Sequence, residues 1–253
     1  MYFHKVCGKS VRNSDYENND MKYLIIVPAF NEETTIGPVI DDIRHEVSFA
    51  DVLVVNDGST DNTRTRALEK QVKVIDHPFN LGYGTALQTG FRYAEGMGYD
   101  FVITMDADGQ HVPSSIGNLI ETMKKQDADV VIGSRFLMGN YQTGFAKKIG
   151  IWLFSLIGRI YTSIEITDPT SGFQLLKKNV FSYLAQGDNY PLDYPDVNII
   201  MALHSMRFKV VEAPVAMVTC ISGKSMHSGL KPIIYVVRMF LAILLIWARR
   251  KGR

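Results

Sequence analysis

Residues 103–113 read ITMDADGQHVP. An apolar run ends, two aspartates follow one residue apart, and a glycine, a glutamine and a histidine come after them. From this stretch alone Asp106 and Asp108 have two physical readings. They cap a turn or the helix that starts near Pro113, or they hold something positively charged.

The run that ends here is one of five of the same kind. YLIIVP (residues 23–28), DVLVVN (51–56), VKVI (72–75), FVITM (101–105) and DVVIG (129–133) are short, rich in Val and Ile, and apolar at consecutive positions. That is the pattern of parallel strands covered on both faces. Helix-like stretches at residues 35–47, 61–70, 85–96 and 113–126 separate them. In GSTDN, Ser59 or Thr60 offers a helix N-cap, and Asp61 suits a first turn. Strand and helix alternate, which predicts an α/β fold: a doubly wound, mostly parallel central sheet with helices on both faces. No internal repeat or low-complexity segment interrupts it.

The bulk composition agrees. At 253 residues, 46% apolar and 21% charged, the chain can bury a sizeable core. A formal charge of +1 argues against a nucleic-acid partner held by bulk electrostatics. Cys7 and Cys220 stand far apart with no metal-ligand motif, as expected of a reducing compartment without a disulfide framework. Residues 1–20 lack the apolar core of a signal peptide and end rich in Asn and Asp, so they read as a flexible extension, with Met21 a candidate natural start.

Three polar clusters each follow the C-terminal end of a strand: PAFNEE, NDGSTDN and DADGQH. In open α/β sheets the crevice beyond those ends is where ligands bind. Nucleotide and calcium motifs fail one by one. GYGTAL, residues 82–87, places Leu87 where a dinucleotide fingerprint needs Gly or Ala. GKS, residues 223–225, has Val218 at the upstream P-loop glycine position. As an EF-hand loop, Asp106 and Asp108 would require glycine where His111 stands. DGSTDNTRTRAL fails likewise at Asn62 and Leu68. What survives is an aspartate pair two residues apart on extended chain, where side chains point the same way. Oxygen ligands of this kind suit Mg2+ or Mn2+, and Gln110 continues the alternation as a third oxygen. Capping and metal binding are evenly matched on the pair alone; the other two clusters tip the balance to metal.

VPAFNEE, VNDGSTDNT, HPFNLGYGTALQTGFRYA, MDADGQH, IGSRF and TDPTSGF occur in the order and spacing of glycosyltransferase family 2. Within it the chain most resembles the polyprenyl-phosphate (dolichyl-phosphate-type) sugar transferases, from about Met21 to beyond Ser225. The resemblance implies the nucleotide-diphospho-sugar transferase (GT-A type) fold, with a catalytic domain over residues 21–215. It implies inverting, metal-dependent transfer of a single sugar from a nucleotide sugar, UDP-sugar favoured, to a polyprenyl phosphate, feeding cell-surface glycan assembly. By the same resemblance Pro28, Phe30, Glu32, Val55 and Asp57 are nucleotide contacts, Asp57 reading the base. Asp106, Ala107, Asp108 and Gln110 form the diphosphate and metal segment. Arg135 sits near the donor phosphates, where a bidentate guanidinium fits. Ser171, Gln174, Lys224 and Ser225 fall to the acceptor phosphate.

The chain departs from the family on the acceptor side. Gln174 follows SGF where Arg is usual, and Cys220 and Met226 occupy two further basic positions; Lys224 and His227 lie close by. In YPLDYPDVN, Asp193 or Asp196 offers a general base for a hydroxyl acceptor, against a plain turn around two prolines. A phosphate acceptor needs no strong base, being largely ionised near neutral pH. The Q-x-x-R-W signature of processive synthases is absent, which favours single transfers.

Residues 216–253 read as an acceptor loop followed by an amphipathic, membrane-associated segment. The apolar run at 233–247 is broken by Arg238 and short of a bilayer core. Lys231, Arg238 and Arg249 fall on one helical line, and Trp247 followed by ARRKGR suits an anionic lipid interface. Residues 149–164 have a similar form, fitting a membrane surface or a buried helix equally. The chain is thus expected at the cytoplasmic face of a membrane, peripheral or monotopic, with a small membrane-protein partner or a second copy as further possibilities. Two rival functions stand beside the main one: transfer to a sugar hydroxyl, and a non-catalytic nucleotide-sugar binding subunit.

Overall fold

A computed structural model describes residues 21–138, 166–191 and 197–218. Each predicted parallel strand forms: β1 (Tyr23–Ala29), β2 (Ala50–Asn56), β3 (Lys73–Asp76), β4 (Phe101–Thr104) and β5 (Val130–Ser134). The intervening helices are α1 (Ile36–Glu46), α2 (Thr63–Glu69), α3 (Tyr83–Met97) and α4 (Ile116–Gln126), the last entered through a 3-10 turn at Pro113–Ser115. Two strands and two helices complete the described chain: β6 (Gln174–Lys177), α5 (Lys178–Ala185), α6 (Val197–Ser205) and β7 (Val210–Pro214).

The sheet has seven strands in the order β3-β2-β1-β4-β6-β5-β7. All neighbours are parallel except that β6 runs against both β4 and β5. Alternation along each central strand serves two cores. Tyr23, Ile25 and Val27 of β1 pack with α1, α2 and α4 on one face. Leu24 and Ile26 pack with α3, α5 and α6 on the other. This double burial explains why the strands read as continuous apolar runs. Pro28 lies past Ile26, where the β4 ladder ends, so a residue without an N–H is tolerated beside an otherwise central strand.

The helix start assigned to Ser59 or Thr60 is corrected: α2 begins at Thr63 with Asn62 at the cap position and no side-chain cap bond. Ser59 is used elsewhere, as shown below. The proposed C-terminal membrane helix, residues 1–20, and the apolar stretch at 149–164 lie outside the described residues, as do Asp193, Asp196, Lys224, Ser225 and His227. Among the described residues no helix is long and apolar enough to cross a membrane.

Candidate donor and metal site

The three polar clusters meet at the edge where β1, β2 and β4 end, and hydrogen bonds stitch the first two together. The Asn31 N–H donates to Ser59 Oγ at 3.0 Å, and Asn31 Oδ1 accepts from the Thr60 N–H at 2.8 Å. The Glu32 N–H donates to Thr63 Oγ1 at 2.7 Å, while Glu33 exchanges bonds with Asp61 and Asn62. Asn31 adopts φ 57°, a left-handed conformation that asparagine tolerates better than most residues. PAFNEE and NDGSTDN are therefore one rigid unit. Within it Phe30 is exposed and Glu32 half-buried, whereas Pro28 is buried in β1. Val55 is wholly buried in the core, so its side chain is closed to a ligand and only its backbone borders the site.

Asp57 is 3% exposed and its carboxylate is heavily used. Oδ1 accepts from the Leu81 N–H at 2.9 Å and lies 2.7 Å from His77 Nδ1; Oδ2 accepts from the Gly82 N–H at 2.9 Å. It pins the chain entering α3 to the end of β2. Gly58 makes this possible: at φ 68° it lies so close to Phe79 that a Cβ would stand 2.4 Å from that residue's carbonyl carbon.

The metal segment forms a tight turn rather than a helix cap. Asp108 Oδ1 accepts from the Gln110 N–H at 2.9 Å, and Gly109 takes φ 76°. Asp106 Oδ1 accepts from the Tyr83 hydroxyl at 2.9 Å. The Asp106 N–H donates to His111 Nδ1 at 3.1 Å, so the imidazole carries its proton on Nε2, which lies 3.6 Å from Asp106 Oδ2. His111 is buried and stacks on Phe173 at 5.0 Å. Ala107 is buried in the core, leaving its backbone as the only group it can offer a ligand.

The electrostatics of this corner are only partly compensated. Burial, and then the charge of Asp106, push the Asp108 carboxyl above its ordinary range. Burial likewise raises Glu32, against a bond from Thr35 and with the charges of Asp108, Asp61 and Asp106 adding to it. Converging carboxylates that hold protons too tightly are what a divalent cation relieves, so the donor set fits Mg2+ or Mn2+. Among the described residues no group of three or more His, Cys, Asp or Glu side chains forms a ready metal cage. An ion at Asp106 and Asp108, with Gln110 alongside, would complete its shell with water and substrate phosphates.

Arg135 takes a partner that sequence reasoning did not foresee. It is 7% exposed, and its guanidinium pairs with fully buried Asp168: Nε to Oδ2 at 2.5 Å and Nη2 to Oδ1 at 2.9 Å. Nη2 also donates to Thr170 Oγ1 at 3.1 Å. Two edges of its fork are therefore committed inside the protein, which makes it first a brace between β5 and the TDPTSGF segment. Glu212 on β7 reinforces that segment by accepting from the N–H groups of Thr167 and Asp168. Ser171 is buried, its Oγ accepting from the Phe173 N–H, and the Gln174 amide donates to the Ser171 carbonyl at 2.9 Å. Beyond β7, the Val218 N–H donates to the Gln110 carbonyl at 3.0 Å, which sets Val218 itself beside the Asp106–Gln110 turn.

Tyr83, His77, His111, Asp168 and Glu212 were missed. Tyr83, His77, His111 and Asp168 all lay inside quoted motifs, but nothing in those motifs singled them out as site residues. Glu212 lay in none.

Comparison with known proteins places this geometry. The chain is 32% identical over 224 residues to an undecaprenyl-phosphate mannosyltransferase of Micrococcus luteus, covering 83% of this chain and 88% of that one. It is 30% identical over 186 residues to a UDP-N-acetylglucosamine–dolichyl-phosphate N-acetylglucosaminyltransferase of Methanococcus voltae, covering 66% and 74%. A crystal structure of glucosyl-3-phosphoglycerate synthase from Mycobacterium tuberculosis, in complex with Mn2+, UDP-glucose and phosphoglyceric acid, superposes with TM-score 0.69. It shares 18% identity and covers 96% of this chain and 85% of its own, which establishes a common GT-A-like fold. The family model for "Glycosyl transferase family 2" matches residues 24–184, and with the strand-end clusters assembled as described, the chain belongs to that family of glycosyltransferases.

Proposed function

We propose that the protein transfers a single sugar, with inversion, from a nucleotide-diphospho-sugar to a polyprenyl phosphate at the cytoplasmic face of a membrane, in a route to cell-surface glycan. The observation that carries this reading is that relatives named for undecaprenyl- or dolichyl-phosphate acceptors align along most of the chain. UDP is the favoured nucleotide, since the Methanococcus voltae relative is named for a UDP-sugar.

The residues divide the work as follows. The stitched PAFNEE–NDGSTDN unit, with exposed Phe30 at its lip, holds base and ribose beside Asp57. Asp106 and Asp108 hold a divalent ion, which neutralises charge on the departing diphosphate when bound. The chain itself supplies positioning: Arg135 and Asp168 fix the segment that carries Ser171 and Gln174 toward the acceptor, for which Lys224 and Ser225 are further contacts by the family resemblance. An acceptor phosphate already carries a nucleophilic oxygen, so the enzyme's contribution is alignment and charge stabilisation. A membrane location is supported by apolar side chains on loops at this same edge. Phe30, Phe79, Leu81, Leu137 and Met138 are all at least 40% exposed.

The test supplies labelled UDP-sugars with polyprenyl phosphate in vesicles and, separately, with soluble sugar and hydroxyl acceptors. Mass spectrometry of a sugar-phospholipid product is the expected result. Label appearing only on a soluble hydroxyl would overturn the reading and favour Asp193 or Asp196 as base; no turnover of any donor would favour a binding subunit.

A further inference from the structure

GYGTAL fails as a dinucleotide fingerprint, yet the residue between its two glycines makes a contact at the candidate metal site. Tyr83 opens α3, and its hydroxyl donates to Asp106 Oδ1 at 2.9 Å. The chain just before it is held by Asp57 through the N–H groups of Leu81 and Gly82. On the far side, Gly172 lies so close that a Cβ would stand 2.6 Å from the Tyr83 oxygen and 3.0 Å from Asp106 Oδ1. The phenol–carboxylate bond thus lies between the start of α3 and the bare backbone of the TSGF segment, open to solvent on its remaining side.

We propose that Tyr83 is a positioning residue of the metal site, resting on the reading that Asp106 and Asp108 hold a divalent ion. Two carboxylates that repel each other swing apart unless something holds them. The Asp108 carboxylate is held by its own turn, through the Gln110 N–H. The Asp106 backbone is held by His111, and its carboxylate by Tyr83. One oxygen of Asp106 is thereby fixed before any ion arrives, and the ion does not pay the cost of ordering that side chain. Groups that orient metal ligands in this way are typically worth 10- to 100-fold in affinity. Gly172 belongs to the same device, since any side chain there would displace the phenol.

The experiment titrates Mn2+ into the full chain and follows free Mn2+ by electron paramagnetic resonance, comparing wild type with Tyr83→Phe, Gly172→Ala and Asp108→Asn. The proposal expects about tenfold weaker Mn2+ binding in Tyr83→Phe and a similar loss in Gly172→Ala. It also expects unchanged thermal unfolding of Tyr83→Phe without metal, and recovery of most lost transferase rate in excess Mn2+. Mn2+ affinity of Tyr83→Phe within about twofold of wild type, with binding abolished in Asp108→Asn, overturns the role of Tyr83 and leaves the metal site standing. Equal Mn2+ binding in wild type and Asp108→Asn overturns the metal reading and the proposal together.

Discussion

Arg135 and Asp168 face each other in a two-point ion pair that is closed to solvent on both sides, with contacts of 2.5 and 2.9 Å. Removing one partner leaves the other charge buried and unpaired, at a cost of about 3–5 kcal/mol. Asp168→Ala should therefore unfold at much lower urea than wild type. Replacing both residues with apolar ones, as in Arg135→Met with Asp168→Leu, should restore most of the stability. Activity should not return with it, because the braced TDPTSGF segment loses its register. A stable and fully active double variant would reduce the pair to packing alone.

Asp57 should show a split between its alanine and asparagine variants. Asp57→Ala orphans the N–H groups of Leu81 and Gly82; an unsatisfied N–H costs about 1–3 kcal/mol when buried, and these half-buried groups should cost toward the low end of that range. Asp57→Asn retains one acceptor oxygen and should lose less. Urea unfolding measures this, and UDP calorimetry on the same proteins asks whether donor affinity follows the loosening of the 77–82 loop. Equal stability of the two variants would contradict the clamp.

The metal corner sets a pH dependence of defined sign. Asp108, raised by burial and by Asp106, holds its proton more tightly folded than unfolded. Such a group stabilises the fold below the unfolded carboxylate range, and that contribution is lost as pH rises through the raised folded value. Without metal, Asp108→Asn should be the more thermally stable protein at neutral pH, with the difference shrinking on acidification. Mn2+ should raise the melting temperature of wild type and leave the variant unmoved. Differential scanning fluorimetry across pH with and without Mn2+ checks all three.

Gly58→Ala should be costly on two grounds. A left-handed φ of 68° strains any Cβ-bearing residue, by about 1–3 kcal/mol, and the Phe79 backbone stands in the way. The expected result is a clear loss of urea stability with weaker UDP binding, since the Asp57 clamp and the Phe79 loop move together. A silent substitution would mean that this close approach is absent in solution.

Much of the fold around the candidate donor site was legible in the chain. Tyr23, Ile25 and Val27 alternate with Leu24 and Ile26 into two buried cores, and both-face burial writes itself as an unbroken apolar run. Asp106 and Asp108 stood out by spacing, but the pair alone left capping and metal binding evenly matched, and only the neighbouring clusters favoured metal. What stayed hidden depends on contacts between residues distant in sequence. Gln174 to Lys177 form four residues of strand with no turn before the next helix, so neither period nor punctuation marked them. Arg135 carried the right chemistry for phosphate, but its match to Asp168 spans a gap of 33 residues and is set by the fold. Val55 and Ala107 border the site by backbone while their side chains complete the core, a distinction that a motif does not encode.

The reversed direction of β6 has a topological corollary. Because β6 opposes β4, the residues that enter it, rather than those that leave it, arrive at the edge where β1, β2 and β4 end, with Gln174 level with Thr104 and the Gly172 carbonyl bonded to the Thr104 hydroxyl. One antiparallel strand thus delivers the TDPTSGF segment to the same edge as Asp57, Asp106 and Asp108 without a crossover of its own through the parallel half of the sheet.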